Sequence, residues 1–397
     1  MIVRAQIPEL RLVLACAHAH LEPGDRAALQ AALDAGVDWA RVLHLASWHG
    51  MRPLLHRHLG AMEAGRVPRP VLVELWAEAE TIAGRNRALH AELARICSTL
   101  EGGGIRSLPY KGPTLALAAY GDLALREFGD LDILVARNDV LAARDALCAA
   151  GYVEEYPLRP QVLEAFIASD AQYHLVLRSP VLGHLVELHW KTDPDFPVER
   201  LDDPAWWHAT LRPGALRGLT DEELLLVLCI HGSKHGWSSL GWLVDVAELL
   251  ALESRIDWER LCDRARAIGC SRRVGVGLWL AAELLGAPLA PAARALAERA
   301  DVRRLAVALL PAILAAEPDS PGALQGLRLG LAMVERPEKR IGIVFRTVCL
   351  PSLVEWTRWP LPRPLFFMYP VLRLGRLAGK YSRRGIDSLF TGRRLHS

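Results

Sequence analysis

Two aspartates separated by one residue are the clearest chemical feature of the sequence. Asp130 and Asp132 flank Leu131 at the start of an apolar stretch that ends at Val135. Successive side chains of a β-strand point to opposite faces, so the aspartates would share one face and the apolar residues the other. Mg²⁺ is commonly held by one or two carboxylates together with substrate phosphates. The pattern suggests a metal site, whereas a lone Asp-x-Asp is also typical of solvated acids at a strand end.

A third carboxylate lies in another strand-like segment. Residues 183–190 alternate as a β-strand does. Glu187 and His189 fall on one face of this predicted strand, and Val186 and Leu188 fall on the other. If the two strands lie side by side, Glu187 joins the two aspartates.

A strand, a lysine-glycine turn and a helix start precede the aspartates. Residues 105–110 form a predicted strand, and Lys111, Gly112, Pro113 and Thr114 open a predicted helix. Glycine permits close backbone approach, lysine supplies a positive charge, and a helix start presents unpaired N–H groups to an anion. Proline fits the first helical turn because its missing N–H has no partner there. The segment is either a phosphate cradle or an ordinary turn, and the nearby aspartates favour the cradle.

Two histidines share one face of a predicted helix further along the chain. His231 and His235 are four residues apart, with Lys234 between them. The spacing is that of a zinc protease, but the residue after the first histidine is Gly232 instead of the required glutamate. The histidines therefore either line an active site or pack between helices. We expect Asp245 to pair with a cation or histidine of this segment.

Periodicity divides the chain into four segments. Residues 1–100 and 201–338 show the apolar spacing of α-helices, whereas residues 101–200 contain the predicted strands. Residues 339–397 form a tail rich in proline, aromatic residues and arginine. The tail has twelve Lys or Arg against two acids, which leaves residues 1–338 at −8 within a chain of net charge +2. We expect the tail to pack across the helical domain, although its charge would also suit phosphates, nucleic acid or a membrane surface.

The spacing of the cysteines and the distribution of apolar residues indicate in which cellular compartment the protein is expected. The seven cysteines are widely spaced and form no Cys-x-x-Cys pair, which predicts buried thiols in a reducing compartment and no structural zinc. The sequence shows no secretory signal pattern and no stretch of 18 uncharged apolar residues. We therefore expect a cytoplasmic protein without a membrane span.

The order of these motifs resembles that of the uncharacterised nucleotidyltransferase family in the DNA polymerase β-like superfamily. The motifs are Leu108 to Gly112, Tyr120 to Asp122 with Arg126, Gly129 to Val135, Glu187 to Trp190, His231 to Trp237 and Trp242 to Asp245. The resemblance implies an α+β fold in which a small mixed β-sheet is flanked by N- and C-terminal α-helical regions. It further implies that Asp130 and Asp132 bind metal ions and that Glu187 completes the catalytic site. One departure is that the glycine turn, Gly112-Pro113, lies eighteen residues before Asp130, whereas better-known members have a Gly-Ser or Gly-Gly pair about a dozen residues upstream.

The function implied by the resemblance is metal-dependent nucleotidyl transfer. Mg²⁺ or Mn²⁺ would act with a nucleoside triphosphate or a sugar nucleotide as donor, and the acceptor would be a hydroxyl of a peptide, a sugar or another small molecule, as in natural-product or modified-peptide pathways. The residues assigned to the donor are Lys111, Gly112, Thr114, Arg126, His189, His231, Lys234 and His235.

Two other functions remain open. One is an inactive, antitoxin-like module that binds nucleotide and regulates a partner, and the other is a helical scaffold with surface acids. The acid-over-apolar alternation on two strands argues against the scaffold. Nucleic acid is not expected as acceptor, because residues 1–338 are acidic overall and lack interleaved basic and aromatic stripes.

Overall fold

The computed structural model describes residues 7–391 except 182, 202, 204–205, 208–217, 253–255 and 316–322. Side chains are described over the same ranges except 323–325 and 381–391. Helices dominate, and five short strands form a single mixed sheet, so the predicted α+β fold is confirmed. No helix in the described ranges is both long and apolar enough to span a bilayer.

Five helices precede the sheet, three lie among its strands and ten follow it within the described ranges. The first five are α1 Pro8–Ala15, α2 Pro23–Asp34, α3 Trp39–His49, α4 Arg52–Gly60 and α5 Arg69–Gly102. Those among the strands are α6 Gly112–Leu115, α7 Val140–Ala149 and α8 Pro160–Ala168. Those after the sheet are α9 Asp221–Lys234, α10 Leu240–Leu250, α11 Trp258–Ile268, α12 Ser271–Leu285, α13 Pro291–Ala297, α14 Ala300–Ile313, α15 Ala323–Ala332, α16 Pro337–Cys349, α17 Leu353–Arg358 and α18 Tyr369–Thr391. A π-helical turn, Ala116–Tyr120, continues α6, and short 3₁₀ turns are Leu123–Leu125, Arg137–Asp139 and Arg363–Met368.

The sheet has the strand order β1-β2-β5-β4-β3. Its strands are β1 Ser107–Pro109, β2 Asp130–Val135, β3 Val153–Glu154, β4 His174–Arg178 and β5 Leu185–His189. The β2–β5 pair is parallel and the other three pairs are antiparallel. The parallel pair requires a long crossover, and residues 136–184 supply it with α7, β3, α8 and β4. Of these crossover elements, β3 and α8 were not predicted from the sequence.

The two faces of the sheet have different environments. Leu131 and Ile133 on β2, together with Val186 and Leu188 on β5, are fully buried in one apolar core with α7, α8 and the second half of α5. The opposite face carries Asp132 and the side chains that share its orientation. The predicted alternation of acid and core side chains on these strands is thereby confirmed.

A second core joins the helices before the sheet to those after it. Leu10 and Leu45 from the N-terminal helices and Leu225 and Leu243 from α9 and α10 belong to one continuous apolar cluster. Helix α5 has 34 residues, which at 1.5 Å per residue corresponds to about 50 Å. Its first half contributes to this cluster and its second half to the core beneath the sheet. The sheet is therefore held against a single helical body by one long helix.

The tail packs against the sheet core. Trp356 and Tyr369 are buried beside Phe166 of α8 and Trp190, and the Phe166–Trp356 ring centroids are 6.3 Å apart. The expectation that the tail packs across the helical domain is therefore wrong for these anchors. The reason is α8, which was not predicted from the sequence. Its Phe166 lies in the sheet core and provides the apolar surface against which the two aromatic rings pack.

Candidate active site

The parallel pairing of β2 and β5 brings two of the predicted carboxylates together. The register places Asp132 directly opposite Glu187, and Asp130 opposite Leu185. His189 lies one pleat further along β5, and its Nε2 is 3.1 Å from Asp132 Oδ1 and 3.1 Å from Glu187 Oε2. The imidazole thus bridges the two strands through their acids.

The turn after β1 adds a cation to the same aspartate. Lys111 Nζ is 3.4 Å from Asp132 Oδ1, and the Tyr110 hydroxyl donates to the same oxygen at 3.4 Å. The Tyr110 backbone N–H also bonds to the Asp132 carbonyl oxygen, at 3.3 Å. This extends the antiparallel β1–β2 pairing and holds the lysine beside the acid.

Gly112 permits this turn to approach the aspartate strand. Its φ is +52°, in the left-handed region that side-chain-bearing residues rarely adopt. A Cβ at this position would lie 3.2 Å from the backbone oxygen of Asp130. The glycine is therefore required both for its backbone conformation and for the close contact.

The two aspartates have opposite electrostatic environments. Burial alone would raise the pKa of Asp132, but the charges of Lys111 and His189 and the hydrogen bond from His189 outweigh burial and lower this pKa strongly. Burial raises the pKa of Asp130, and the neighbouring charges of Asp132 and Glu187 raise it further. Asp132 is consequently a firmly ionised group, whereas Asp130 carries negative charge that its surroundings do not fully compensate.

The imidazole and Glu187 are a coupled pair. Burial opposes protonation of His189, but the hydrogen bonds with Asp132 and Glu187 raise its pKa above the ordinary value. Burial alone would raise the pKa of Glu187, whereas the hydrogen bond from His189 lowers it. Each group therefore stabilises the charged form of the other.

His174 belongs to this cluster but was not predicted. The β4–β5 register places it opposite His189, and the two ring centroids are 5.1 Å apart. Burial and the charge of His189 lower the pKa of His174 to about 4. The alternation of residues 173–178 in the sequence places His174 on the strand face opposite Leu175 and Leu177. That this face is also the face of Glu187 depends on the register between β4 and β5, which the sequence pattern does not give.

Helix α9 covers the site with its last turn. A narrow cleft between this turn and the sheet is lined by Lys111, Thr192, Asp193, Val227, Ile230, His231 and Lys234. Lys234 Nζ is 3.2 Å from the Tyr173 hydroxyl and lies over the Tyr173 ring. Three of the predicted donor-binding residues, Lys111, His231 and Lys234, thus line one cleft.

The two histidines of this turn also have a packing role. The rings of His231 and His235 are 4.7 Å apart, and both contact Trp242. Burial lowers the pKa of His231 strongly, and the charge of Lys111 lowers it further. Gly232 is required for packing, because a Cβ there would lie 2.3 Å from the Trp237 ring.

Two predicted donor-binding residues, Arg126 and Thr114, do not line this cleft. Arg126 donates from Nε and Nη2 to the two carboxylate oxygens of Asp245, at 2.7 and 2.9 Å, and only Nη1 is left without a hydrogen-bond partner in the described part of the chain. The expectation that Asp245 pairs with the 231–237 segment is wrong, because the loop before β2 brings Arg126 to α10. Thr114 is buried, and its methyl group lies beside Gly218.

The predicted metal ligands are only partly assembled. Among the described residues, His174, Glu187 and His189 form the group whose ligand atoms all lie within 4.8 Å of one another, and Asp130 and Asp132 are not part of it. The role of Asp130, Asp132 and Glu187 as a metal-binding triad stays a prediction.

Comparison with known proteins gives one match. The model of a family described as uncharacterised nucleotidyltransferase matches residues 35–286, a range that includes the whole sheet and helices α9 and α10. Neither the search of curated proteins nor the search of solved structures finds a significant match.

Proposed function

Because the chain belongs to the uncharacterised nucleotidyltransferase family, which supports a transferase activity, we propose that it moves a nucleoside monophosphate from a nucleotide donor to a hydroxyl group. The acceptor class that we propose is a peptide, a sugar or another small molecule. A sugar nucleotide is a second donor class that the same site would serve, with a sugar phosphate as the transferred group.

The observation that carries this proposal is the environment of Asp132. Its carboxylate lies between a lysine from the β1 turn, at 3.4 Å, and an acid-bound histidine, at 3.1 Å, on the face of the sheet that a helix covers. Such an ionised acid among fixed cations is typical of sites that position phosphoryl groups, where catalysis is largely positioning and charge stabilisation.

The acids of this face suit a divalent cation. Asp130 has no ion-pair partner within the described residues, and its raised pKa reflects burial and repulsion from Asp132 and Glu187. A hard cation relieves both effects because oxygen atoms are its preferred ligands. When bound, Mg²⁺ or Mn²⁺ would lower the pKa of the acceptor hydroxyl and neutralise phosphate charge. We therefore assign Asp130, Asp132 and Glu187 as its ligands.

The cleft beside α9 is the proposed place of the donor phosphates. Lys111 would bind a phosphate oxygen as a point charge, and His231 and Lys234 line the same cleft. The Lys234 side chain is about one third exposed, and its Nζ lies 3.2 Å from the Tyr173 hydroxyl and 3.8 Å from Asp193 Oδ2. Arg126 would act indirectly, by fixing the loop that leads into Asp130.

A regulatory module that binds nucleotide without catalysis is the second candidate. It is favoured by one observation, which is that Lys111 and His189 already compensate the charge of Asp132. Both candidates bind a nucleotide, and they differ in whether the bound donor reacts.

Calorimetric titration with each nucleoside triphosphate, with and without Mg²⁺ or Mn²⁺, tests the proposal. We expect metal-dependent binding in the native chain, loss of that binding in the double variant Asp130→Asn/Asp132→Asn, and unchanged binding in Asp263→Asn, whose carboxylate is exposed on α11. Release of pyrophosphate from a triphosphate, or of a nucleoside monophosphate from a sugar nucleotide, on addition of acceptor mixtures separates the transferase from the regulatory module. Absence of binding for every triphosphate and for sugar nucleotides would contradict both.

A further inference from the structure

Two histidines and a glutamate form a compact group on the face of the sheet that bears the acids. His174 on β4 lies opposite His189 on β5, and Glu187 is two residues before His189 on the same strand. One ligand atom from each residue lies within 4.8 Å of the corresponding atoms of the other two. The positions are set by the backbone register of adjacent strands, so the group is part of the sheet.

The imidazole of His174 has an unused coordination position. Its Nδ1 is buried and has no hydrogen-bond partner in the described part of the chain. A buried polar atom without a partner costs free energy, and most such atoms in proteins are satisfied by protein groups, water or an ion. The neighbouring imidazole of His189 is 5.1 Å away between ring centroids, so the two histidines are close enough to share one partner.

The orientation of His189 matches that of a metal-binding histidine. Its Nδ1 is 3.3 Å from the Lys191 carbonyl oxygen, to which it donates, and its Nε2 is 3.1 Å from both Glu187 Oε2 and Asp132 Oδ1. A histidine that binds a metal through one nitrogen usually donates the other N–H to a backbone carbonyl or a carboxylate, which fixes the ring. Nε2 is therefore the nitrogen presented to the acids.

We propose that His174, Glu187 and His189 bind a divalent transition-metal ion of the zinc class. Two imidazoles and one carboxylate are a ligand set that Zn²⁺ uses in catalytic sites, where a fourth position is left for water or substrate. Imidazole nitrogen suits Zn²⁺ and its neighbours in the transition series, whereas Mg²⁺ prefers oxygen ligands and retains several waters. The sequence pattern of Asp130, Asp132 and Glu187 alone would not have indicated this ion.

The ion would replace the contact that His189 Nε2 now makes with Asp132 Oδ1 at 3.1 Å, and it would not need either aspartate as a ligand. Glu187 has two carboxylate oxygens, so one can bind this ion while the other faces Asp132 across the strand pair. The proposal goes beyond nucleotidyl transfer, because it concerns which metal ion His174, Glu187 and His189 select. It applies whether or not a bound nucleotide reacts.

Metal titration of the full chain tests the site. After removal of metals with a chelator, we expect the native protein to bind one Zn²⁺ more tightly than Mg²⁺, and to develop the visible absorption bands of four-coordinate Co²⁺ when Co²⁺ is added. Removing one ligand in His174→Ala should weaken Zn²⁺ binding by about tenfold or more, whereas His44→Ala, which removes an exposed histidine on α3, should leave it unchanged. Equal Zn²⁺ affinity in the native chain and His174→Ala would overturn the proposal.

A measurement on the native chain covers the case in which His174→Ala does not fold. The X-ray absorption spectrum of the zinc-loaded protein should show two imidazole ligands, and a shell of oxygen ligands alone would contradict the site. Asp130→Asn separates this proposal from nucleotidyl transfer. We expect this variant to keep Zn²⁺ and the Co²⁺ bands while it loses Mg²⁺-dependent nucleotide binding, and loss of Zn²⁺ binding would move the metal to the aspartates.

Discussion

Arg126 and Asp245 form a bidentate ion pair that joins the loop before β2 to helix α10. The two hydrogen bonds measure 2.7 and 2.9 Å, both side chains are largely buried, and the Tyr120 hydroxyl donates to the same carboxylate at 2.8 Å. Burial would lower the pKa of Arg126, but the charge of Asp245 and its hydrogen bonds raise that pKa further above its already high value. The pair connects the helical body to the strand that carries Asp130 and Asp132.

Removing one partner of this ion pair should destabilise the fold. A buried charge that loses its partner costs about 3 to 5 kcal/mol, so we expect Asp245→Asn and Arg126→Ala each to lower the free energy of unfolding in urea by roughly that amount. The double variant Arg126→Met/Asp245→Leu should recover part of the loss, because it leaves no unpaired charge. If each single variant were as stable as the native chain, Arg126 would be free to bind phosphate instead.

Asp132→Ala should remove turnover while the fold persists. The carboxylate is the common partner of Lys111 and His189, and loss of one electrostatic catalytic group costs about 10² to 10³ in rate. Steady-state release of pyrophosphate measures the rate, and circular dichroism measures the fold. Full activity in this variant would show that the chemistry lies elsewhere.

Lys111→Ala should weaken donor binding more than the reaction of the bound donor. A hydrogen bond to a charged group contributes about 1.5 to 3 kcal/mol, which corresponds to a rise in KM for the donor of about 10- to 150-fold. Lys191→Ala is a matched control, because Lys191 is bonded to Asp170 instead. A fall in kcat with unchanged KM would place Lys111 on the reacting group.

Gly232→Ala should destabilise the last turn of α9. The new methyl group would meet the Trp237 ring at 2.3 Å, and overpacking a core costs about 1 to 3 kcal/mol. Gly330→Ala in α15 is the opposite case, since nothing lies within 4 Å of its added Cβ and alanine favours the helix by about 1 kcal/mol. Thermal unfolding of the two variants should therefore shift in opposite directions.

The stability of the tail around Glu355 should fall in acid. Glu355 is fully buried, caps α17 through Ser352 and is bonded to Arg373 at 3.0 Å and to Arg376. Burial would raise its pKa, but the Ser352 and arginine contacts lower that pKa from 4.5 to about 2. The depressed pKa means that this stabilisation is complete above pH 4.5 and is lost as the pH falls through 2.

Glu355→Gln tests this linkage. At neutral pH we expect the variant to be less stable by up to about 3 kcal/mol, which is the free energy corresponding to the pKa shift. The difference from the native chain should shrink as the pH approaches 2, where the native carboxyl is protonated as well. Glu338→Gln, at an exposed position of α16, should match the native chain at every pH. A constant difference across this range would exclude the carboxylate as the cause.

Patterns within single elements were readable from the sequence. The period-two alternation around Asp132 and Glu187 identified both strands and the faces of their acids, because strand geometry alone dictates which side chains share a face. The start of α9 has an equally local cause, because the Thr220 side chain caps it by accepting from the Glu223 backbone N–H. These features depend on neighbours within a few residues.

The assembly of the site was decided only by tertiary structure. His174 faces Glu187 because of the register between β4 and β5, and Arg126 faces Asp245 because a loop and a helix 119 positions apart pack together. Register and packing depend on how apolar faces distant in sequence combine into shared cores, and no local period encodes that combination. The sequence by itself therefore determined which residues carry the chemistry of each strand, whereas the packing of the strands and helices determined which of those residues meet.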